Sequence, residues 1–320
     1  MINHRRWVAL LLCAVMTFSS ATVLAAEETT STTEPEALET QELTEVNETE
    51  PTEYIEPAET VDAQTVTEPT APVPEGVKLI LNGAAMAPAV NPTIFEGNTF
   101  VSLPAFAAAM GCQTEWAPNG ILTVTLGEEL HMEVLIGSDL VSVNDRFFYM
   151  PDICRLMDRV PMVPIRGLAK VFSLTIGWDG PTQTVTLTGG EILAWGESFY
   201  NADDLLWLSR IIHAESRGES LEGKIAVGNV VLNRVRSSRF PDTIYDVIFQ
   251  GNGTQFSPVR SGKIYNEPTK ESIKAAKLCL EGANEVEDAL YFLNVSISGS
   301  SWAVKNRTLV AKIGCHSFFS

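Results

Sequence analysis

The sequence is short of positive charge. Its 320 residues include 22 Lys and Arg against 40 Asp and Glu, which gives a net charge of −18 with His neutral. Most of this excess comes from residues 27–76, which hold fifteen acids and no Lys or Arg, so the rest of the chain is nearly balanced. Binding to nucleic acid requires a basic surface. The composition therefore argues against a DNA- or RNA-binding role.

Several catalytic signatures are also missing. The chain contains no H-E-x-x-H, no G-x-S-x-G and no Gly-rich phosphate-binding loop. Residues 191–320 contain two histidines, His213 and His316, whereas a catalytic zinc site takes about three protein ligands. We therefore expect no metal site and no cofactor.

Long apolar runs are confined to the N-terminus. Residues 7–16 are apolar, but a helix that spans a bilayer needs about 20 such residues. Arg5 and Arg6 precede this run and small residues follow it at 23–26, which is the pattern of a secretory signal peptide. We therefore interpret residues 1–26 as a signal peptide and expect an exported protein with no membrane span after its removal.

The segment that follows predicts a linker. Residues 27–76 are acidic, rich in Glu, Thr and Pro, and poor in apolar side chains. Such a stretch repels itself and has little surface to bury, so it forms no core. We expect a disordered tether here.

Residues 77–189 contain an internal repeat with an offset of 62 residues. Each copy predicts a strand–turn–strand unit, a short helix, and a tryptophan followed by a strand of alternating polarity. The matched pairs are Asn82 and Asn144, Val101 and Val163, Leu103 and Ile165, Ala107 and Ala169, and Trp116 and Trp178. The pattern predicts a duplicated antiparallel-β domain. It resembles the copper amine oxidase N-terminal-like domain, a stalk module of exported bacterial proteins, and this resemblance implies neither copper nor amine oxidation.

Residues 190–320 predict a mostly helical domain, so the fold class expected for the whole chain is α+β. The second of its helices is apolar on nearly all sides and should be buried, so its two amides, Asn229 and Asn233, need hydrogen-bond partners. Such amides hold loops more often than substrates. The residues expected to cap the three main helices are Asp203 or Asp204, Ser220 and Thr269.

The first of these helices, expected to end near Ser216, has a glutamate on its apolar face. Helical spacing places Glu215 in line with Leu208 and Ile212. Burial and the negative end of the helix dipole both raise the pKa of such an acid, as a general acid near neutral pH requires. The alternative is a glutamate that turns to solvent or pairs with a neighbouring arginine.

Residues 208–250 carry the most specific motif, which centres on HAESRGE and runs on through GKIAVGNVVLNRV. This block resembles the SleB-type cell wall hydrolase family, the family of spore-cortex-lytic enzymes, although family members usually have Ala where Ser216 stands. The resemblance continues through QFS at 255–257, YFLN at 291–294, Trp302 and IGCHSF at 313–318. It implies a lysozyme-like lytic transglycosylase fold, Glu215 as the catalytic acid, and the glycan strand of peptidoglycan as substrate.

Aromatic and amide side chains in the last third suit a sugar groove, although core packing explains the same residues. The residues expected to contact sugar are Gln255, Phe256, Tyr291 and Asn294. We expect His316 to be structural. Ordinary hydrolysis would need a second carboxylate about 5–9.5 Å from the first. The candidates for it are Glu219, Glu222, Asp242 and Asp246.

Two other functions stay open at this point. One is a wall-binding protein whose lysozyme-like domain is inactive, and the other is an amidase in which Cys279 or Cys315 acts with His316. If the protein is exported to the cell wall or spore cortex, disulfides become possible. The expected pairs are Cys112 with Cys154 and Cys279 with Cys315, and free buried thiols are the alternative.

Overall fold

The computed structural model describes residues 76–117, 119–294 and 302–320. The signal peptide predicted at 1–26 lies outside these residues, as does the predicted acidic linker up to residue 75. The described part of the chain is a strand-rich region followed by a mainly helical one, as the sequence predicted. No helix within it is long and apolar enough to cross a membrane.

The strand-rich region extends from residue 78 to residue 189. Its strands are β1 (Lys78–Leu81), β2 (Ala84–Ala85), β3 (Thr93–Phe95), β4 (Asn98–Ser102), β5 (Gln113–Trp116), β6 (Ile121–Leu126), β7 (Leu130–Leu135), β8 (Leu140–Val143), β9 (Arg146–Tyr149), β10 (Arg155–Met157), β11 (Val160–Pro164), β12 (Leu174–Asp179) and β13 (Thr184–Gly189). Its helices are α1 (Leu103–Ala109) and α2 (Ile165–Val171).

These elements recur along the chain and close into three sheets. The strands β8 and β11 and the helix α2 begin 62 residues after β1, β4 and α1. One sheet has the order β5-β6-β7-β8-β9, a second β10-β11-β4-β3, and a third β12-β13-β1-β2. Pairing is antiparallel except between β1 and β13, which run parallel. The apolar residues of the alternating strands and of both helices share one core beneath these sheets.

The second region contains most of the helices. They are α3 (Gly196–Phe199), α4 (Ala202–Ser216), α5 (Leu221–Arg236), α6 (Ile244–Gly253), α7 (Ser257–Ser261), α8 (Lys270–Leu280) and α9 (Trp302–Asn306). A small sheet of order β14-β16-β15 packs with them, formed by β14 (Tyr291–Leu293), β15 (Leu309–Ile313) and β16 (His316–Phe319). We did not predict this sheet, because strands of three to five residues give little periodicity to recognise.

Helix caps agree with the sequence at two of three positions. Ser220 accepts a hydrogen bond from the Gly223 amide, and Thr269 accepts one from the Ser272 amide. The cap predicted for α4 at Asp203 or Asp204 was wrong. Asn201 caps α4 instead, and its side chain accepts from both aspartate amides at 3.0 Å. The two aspartates lie in the first turn of α4, where the helix dipole stabilises negative charge.

The helices α4, α5 and α8 approach closely around Gly228. A Cβ atom at this position would lie 2.7 Å from the Cys279 sulfur and 2.8 Å from a methyl carbon of Ile212. The buried amides of α5 bind the loop that follows α8, as expected. Asn229 bonds the Ala283 carbonyl and the Glu285 amide, and Asn233 donates to two further carbonyls of residues 287–289. This loop leads directly into β14.

The four cysteines among the described residues are free thiols. The disulfides expected between Cys112 and Cys154 and between Cys279 and Cys315 are therefore not formed. Cys112, Cys154 and Cys279 are buried as small apolar side chains, whereas Cys315 is exposed. The alternative of free buried thiols holds for three of them.

A buried carboxylate joins the two regions. Glu281, at the end of α8, is 3% exposed and accepts a hydrogen bond from Arg146 Nε at 2.5 Å. Its second oxygen pairs with Lys170 Nζ at 2.9 Å, and the Tyr200 hydroxyl lies 3.3 Å from the first. Arg146 comes from β9 and Lys170 from α2, so two elements of the strand-rich region supply the cations that pair with Glu281. Burial alone raises the pKa of Glu281, but these hydrogen bonds outweigh it and hold that pKa below its ordinary value.

Further contacts surround this ion cluster. Lys277 on α8 pairs with the Asp145 carboxylate at 2.5 Å and donates to its carbonyl at 2.9 Å. The guanidinium of Arg146 lies 3.4 Å from the centre of the Phe199 ring. Ile192 and Leu193, in the segment between the regions, pack on the strand-rich core. The strand-rich region is thus bound directly to α8 and is more than a tether for it.

We predict that Glu281→Gln destabilises the full chain by about 3 kcal/mol at pH 7, because it leaves Arg146 buried without its counter-charge. Urea unfolding followed by circular dichroism measures this. The matched control is Glu287→Gln, at an exposed acid of the same loop. Since folding lowers the pKa of Glu281, its stabilisation is complete above the unfolded value of about 4.3 and disappears as the pH falls further. Equal stability of the two variants would contradict this role.

Candidate active site

Glu215 lies in the last turn of α4 and is half-buried. Its burial raises the pKa of the carboxyl from 4.5 to about 7. No described residue donates a hydrogen bond to it or forms an ion pair with it. The alternative pairing with Arg210 or Arg217 is therefore not seen, and Arg210 instead approaches Glu267 at 3.9 Å. Glu215 is an unpaired acid poised to be protonated near neutral pH.

Two adjoining cavities open on this carboxyl. The first, of about 420 Å³, is lined by Glu215, Arg234, Gly253, Thr254, Gln255, Phe256, Ser257, Arg260, Phe292, Leu293, Asn294 and His316. The second, of about 460 Å³, is lined by Ala214, Glu215, Ser257, Pro258, Arg260, Ser261 and Lys263. Because Glu215, Ser257 and Arg260 belong to both linings, the two cavities form one cleft with Glu215 between its halves. We call this the Glu215 cleft.

Local backbone shape brings the 253–257 segment to this cleft. The helix α6 is broken at residues 250–252, where the backbone leaves helical angles. Gly253 has φ +79°, and a Cβ there would lie 2.7 Å from Val259. A larger residue would therefore be strained and would also push α7 away. This turn directs Gln255 and Phe256 toward Glu215.

The structure brings together three of the four residues expected to contact sugar. Gln255, Phe256 and Asn294 line the cleft with Glu215, although Phe256 is almost fully buried. Tyr291 does not line it. Its ring packs against Trp302 at 5.9 Å and Phe240 at 6.3 Å, and its hydroxyl accepts a hydrogen bond from Arg307. Strand β14 alternates, and it turns Phe292, not Tyr291, toward Phe256, so Tyr291 lies outside the lining of the cleft.

Among the described residues that line the cleft, Glu215 is the only carboxylate. Residues 295–301, which follow Asn294, contain no Asp or Glu in the sequence. The four candidates for a second acid lie elsewhere. Asp246 bonds Thr243 at the start of α6, and Glu222 and Asp242 are outside both linings. The fourth, Glu219, has a separate role.

Glu219 fixes the turn between β15 and β16. One oxygen accepts from the Cys315 amide at 3.3 Å, and the other lies 3.7 Å from His316 Nδ1. A Cβ at Gly314 would collide with this carboxylate. His316 lines the cleft as a result, with its ring against Phe292 at 5.3 Å. Burial lowers the pKa of His316, partly offset by Glu219, so the imidazole is favoured in its neutral form.

The arrangement does not suit the other chemistries. His213 faces α8, where its Nδ1 lies 3.5 Å from the Thr269 amide and the Ser272 hydroxyl. No group of three or more His, Cys, Asp or Glu within the described residues is arranged to hold a metal ion. Cys279 is buried in the helical core, and burial raises the pKa of its thiol. Neither Cys279 nor Cys315 lines the Glu215 cleft.

The cleft contains three cations that the sequence analysis missed: Arg234, Arg260 and Lys263. Arg234 could have been noticed, because a charged residue on a helix that is apolar on nearly all sides is unusual. Arg260 and Lys263 lie in a polar segment that gives no such signal.

Two stretches of the chain match known families. Residues 218–319 match the Cell Wall Hydrolase family, and residues 80–187 match the Copper amine oxidase N-terminal domain. The chain carries a cell wall hydrolase domain. Its match begins three residues after Glu215, so the acid lies just before the matched stretch.

This cell wall hydrolase domain is similar to curated spore cortex-lytic enzymes. The one from Bacillus cereus is 36% identical over 119 residues, which are 37% of this chain and 45% of that protein. The one from Bacillus subtilis (strain 168) is 33% identical over 119 residues, 37% of this chain and 38% of that protein. The similarity therefore spans less than half the length of these relatives.

Two solved structures are also similar to the cell wall hydrolase domain. The catalytic domain of the germination-specific lytic transglycosylase SleB from Bacillus anthracis is 35% identical and covers 38% of this chain and 97% of its own, with a TM-score of 0.35. The catalytic domain of SleB from Bacillus cereus is 36% identical and covers 38% of this chain and 92% of its own, also with a TM-score of 0.35.

We predict that Glu215→Gln stabilises the full chain at pH 8, by up to about 3 kcal/mol, and leaves stability unchanged below about pH 4. A pKa of about 7 in the folded state means that ionising Glu215 opposes folding as the pH rises. Urea unfolding at several pH values measures the difference, with the exposed Glu222→Gln as a matched control. A constant difference across the pH range would show that the Glu215 carboxyl is not desolvated.

Proposed function

We propose that this protein is an exported enzyme that cuts the glycan strand of peptidoglycan between N-acetylmuramic acid and N-acetylglucosamine. The observation that carries the proposal is the unpaired Glu215 carboxyl, with a pKa near 7, in a cleft that has no second described acid. The cell wall hydrolase domain and its similarity to spore cortex-lytic enzymes support the substrate class.

In the proposed mechanism Glu215 acts first as an acid and then as a base. Its protonated carboxyl donates to the glycosidic oxygen as the bond to the muramic C1 breaks. The N-acetyl group of the muramic residue relieves the positive charge that develops at C1. The ionised Glu215 then takes the proton of the muramic 6-hydroxyl, whose oxygen bonds to C1 and closes a 1,6-anhydro ring. One carboxyl completes this cycle without water, whereas ordinary hydrolysis usually uses two.

The domain organisation completes the proposal. A signal peptide at 1–26 would direct export, and the acidic segment at 27–76 would act as a tether. The duplicated stalk at 77–189 would contact the wall and hold the lysozyme-like catalytic domain at 190–320. The ion pairs of Glu281 with Arg146 and Lys170 attach the stalk to α8 of the catalytic domain, which supports a stalk that orients that domain. Gln255 and Asn294 are the proposed sugar contacts, with Phe256 behind them. Peptidoglycan, in the cell wall or spore cortex, would be the partner.

Mass spectrometry of digested peptidoglycan tests this function. We expect the full chain to produce 1,6-anhydro-muramic ends from vegetative or cortex peptidoglycan, and Glu215→Gln to lower their rate of formation by at least about 100-fold. Glu222→Gln is the matched control and should retain activity. The wild-type rate should fall as the pH rises above about 7, because the acid must be protonated at the start of each cycle.

Other products would support other functions. Hydrated reducing ends would indicate a hydrolase with a second acid. Intact glycan with released stem peptide would indicate an amidase. Binding without any cleavage, on either substrate, would indicate a wall-binding protein with an inactive domain.

A further inference from the structure

Arg234 is a buried cation without an acidic partner among the described residues. Its side chain lies on α5 and is 4% exposed. Its Nε donates to the Leu290 carbonyl at 2.8 Å, but its Nη1 is buried and has no hydrogen-bond partner among the residues that the structure describes. Burial lowers the pKa of this guanidinium to about 10, so it stays charged at neutral pH. A buried charge left in this state is costly unless something else binds it.

Another buried arginine, Arg146, has the acidic partner that Arg234 lacks among the described residues. Arg146 is 5% exposed and has the Glu281 carboxylate at 2.5 Å. Arg234 instead has aromatic rings around it: the ring centres of Phe240, Phe256 and Tyr291 lie 5.0, 5.1 and 5.7 Å away. These rings hold the guanidinium in place and provide no anion. Arg234 also lines the Glu215 cleft, so a molecule bound there can approach its guanidinium.

Two more cations continue along the same cleft. Arg260 lines both of its halves, and Lys263 lines the second. Both are exposed, and neither forms an ion pair with a described residue. Glu215 is the only described acid in the lining, and with a pKa of about 7 it is about half protonated at pH 7. The Glu215 cleft is therefore positively charged in a chain of net charge −18, which favours an anionic ligand.

We propose that Arg234, together with Arg260 and Lys263, binds a carboxylate of the substrate, so that the cleft selects muramic-acid-containing glycan over neutral N-acetylglucosamine polymers. This inference rests on the proposed function. A guanidinium matches a carboxylate with two parallel N–H···O bonds, which a neutral sugar hydroxyl cannot reproduce. The carboxylate has two sources in peptidoglycan, the lactyl group of a peptide-free muramic acid and the stem peptide attached to that group.

Calorimetric titration of the Glu215→Gln chain tests the proposal, because its ligands stay intact. Three ligands with four sugars each are compared at pH 7: an N-acetylglucosamine tetramer, a peptide-free peptidoglycan tetrasaccharide, and the same tetrasaccharide with stem peptides. We expect at least one acidic ligand to bind about tenfold or more tightly than the neutral tetramer. Whichever acidic ligand has the advantage identifies the source of the carboxylate. Added salt should weaken the acidic ligands alone.

Substitutions made in the same Glu215→Gln background locate the binding group. Arg234→Gln should remove the preference for the acidic ligand, and Arg234→Lys should restore part of it. The double variant Arg260→Gln/Lys263→Gln changes only exposed residues, so it tests the charge of the cleft even if the Arg234 variants fail to fold. It should lower affinity for the acidic ligand several-fold. The control is Lys312→Gln, at an exposed lysine on β15 outside both linings, and should change nothing.

Three results would overturn the proposal. Equal affinity for neutral and acidic ligands would mean that Arg234 is structural, while cleavage of peptidoglycan by the wild type would still support the proposed function. A preference that survives in both the Arg234 variants and the double variant would assign it to other groups. Failure of all three ligands to bind would overturn the inference, and with no glycan product from the wild type it would overturn the proposed function as well.

Discussion

The buried carboxylate of Glu281 holds the described part of this protein together. Glu281 follows the last residue of α8 and pairs with two cations, Arg146 and Lys170, from the strand-rich region, more than 100 residues earlier in the chain. Because all its partners must be present for such a charge to be buried, the two regions depend on one another. The same helix packs on α4 and α5 around Gly228. The position of α4, and with it that of Glu215, therefore rests on a helix that the strand-rich region holds in place.

Three ionisable side chains that are wholly or partly buried respond differently to the free-energy cost of desolvation. Glu281 stays ionised because it is fully paired, and its pKa is held low. Glu215 has no partner, and its raised pKa lets it become neutral instead. Arg234 can do neither, since a guanidinium stays charged at neutral pH and no described acid meets it. The first group serves the fold, and the other two line a single cleft. In the proposed function the substrate's glycosidic oxygen would accept a proton from Glu215, and in the further inference a substrate carboxylate would bind Arg234.

The cleft is assembled by polar contacts that reach across the chain. Asn229 and Asn233 on α5 bind the loop after α8 and so set the start of β14, which brings Asn294 to the cleft. Glu219 binds the turn at Cys315 and brings His316 to the same place. Glu219 and the two amides have structural roles here, although Glu and Asn are also residue types that act in catalytic sites. Because these polar residues form structural contacts, Glu215 is the only described acid that lines the cleft.

The sequence alone determined the features that depend on near neighbours. The caps at Ser220 and Thr269 and the position of Glu215 on the apolar face of α4 follow from spacings of three or four residues. Only the tertiary structure decided which distant residues meet. Spacing cannot tell that Glu281 binds a residue 135 positions away, that Tyr291 packs outside the cleft, or that no acid in the described part of the chain pairs with Arg234. The physical reason is that local periodicity fixes the face of a helix or strand, whereas burial and pairing depend on what the rest of the fold places against it.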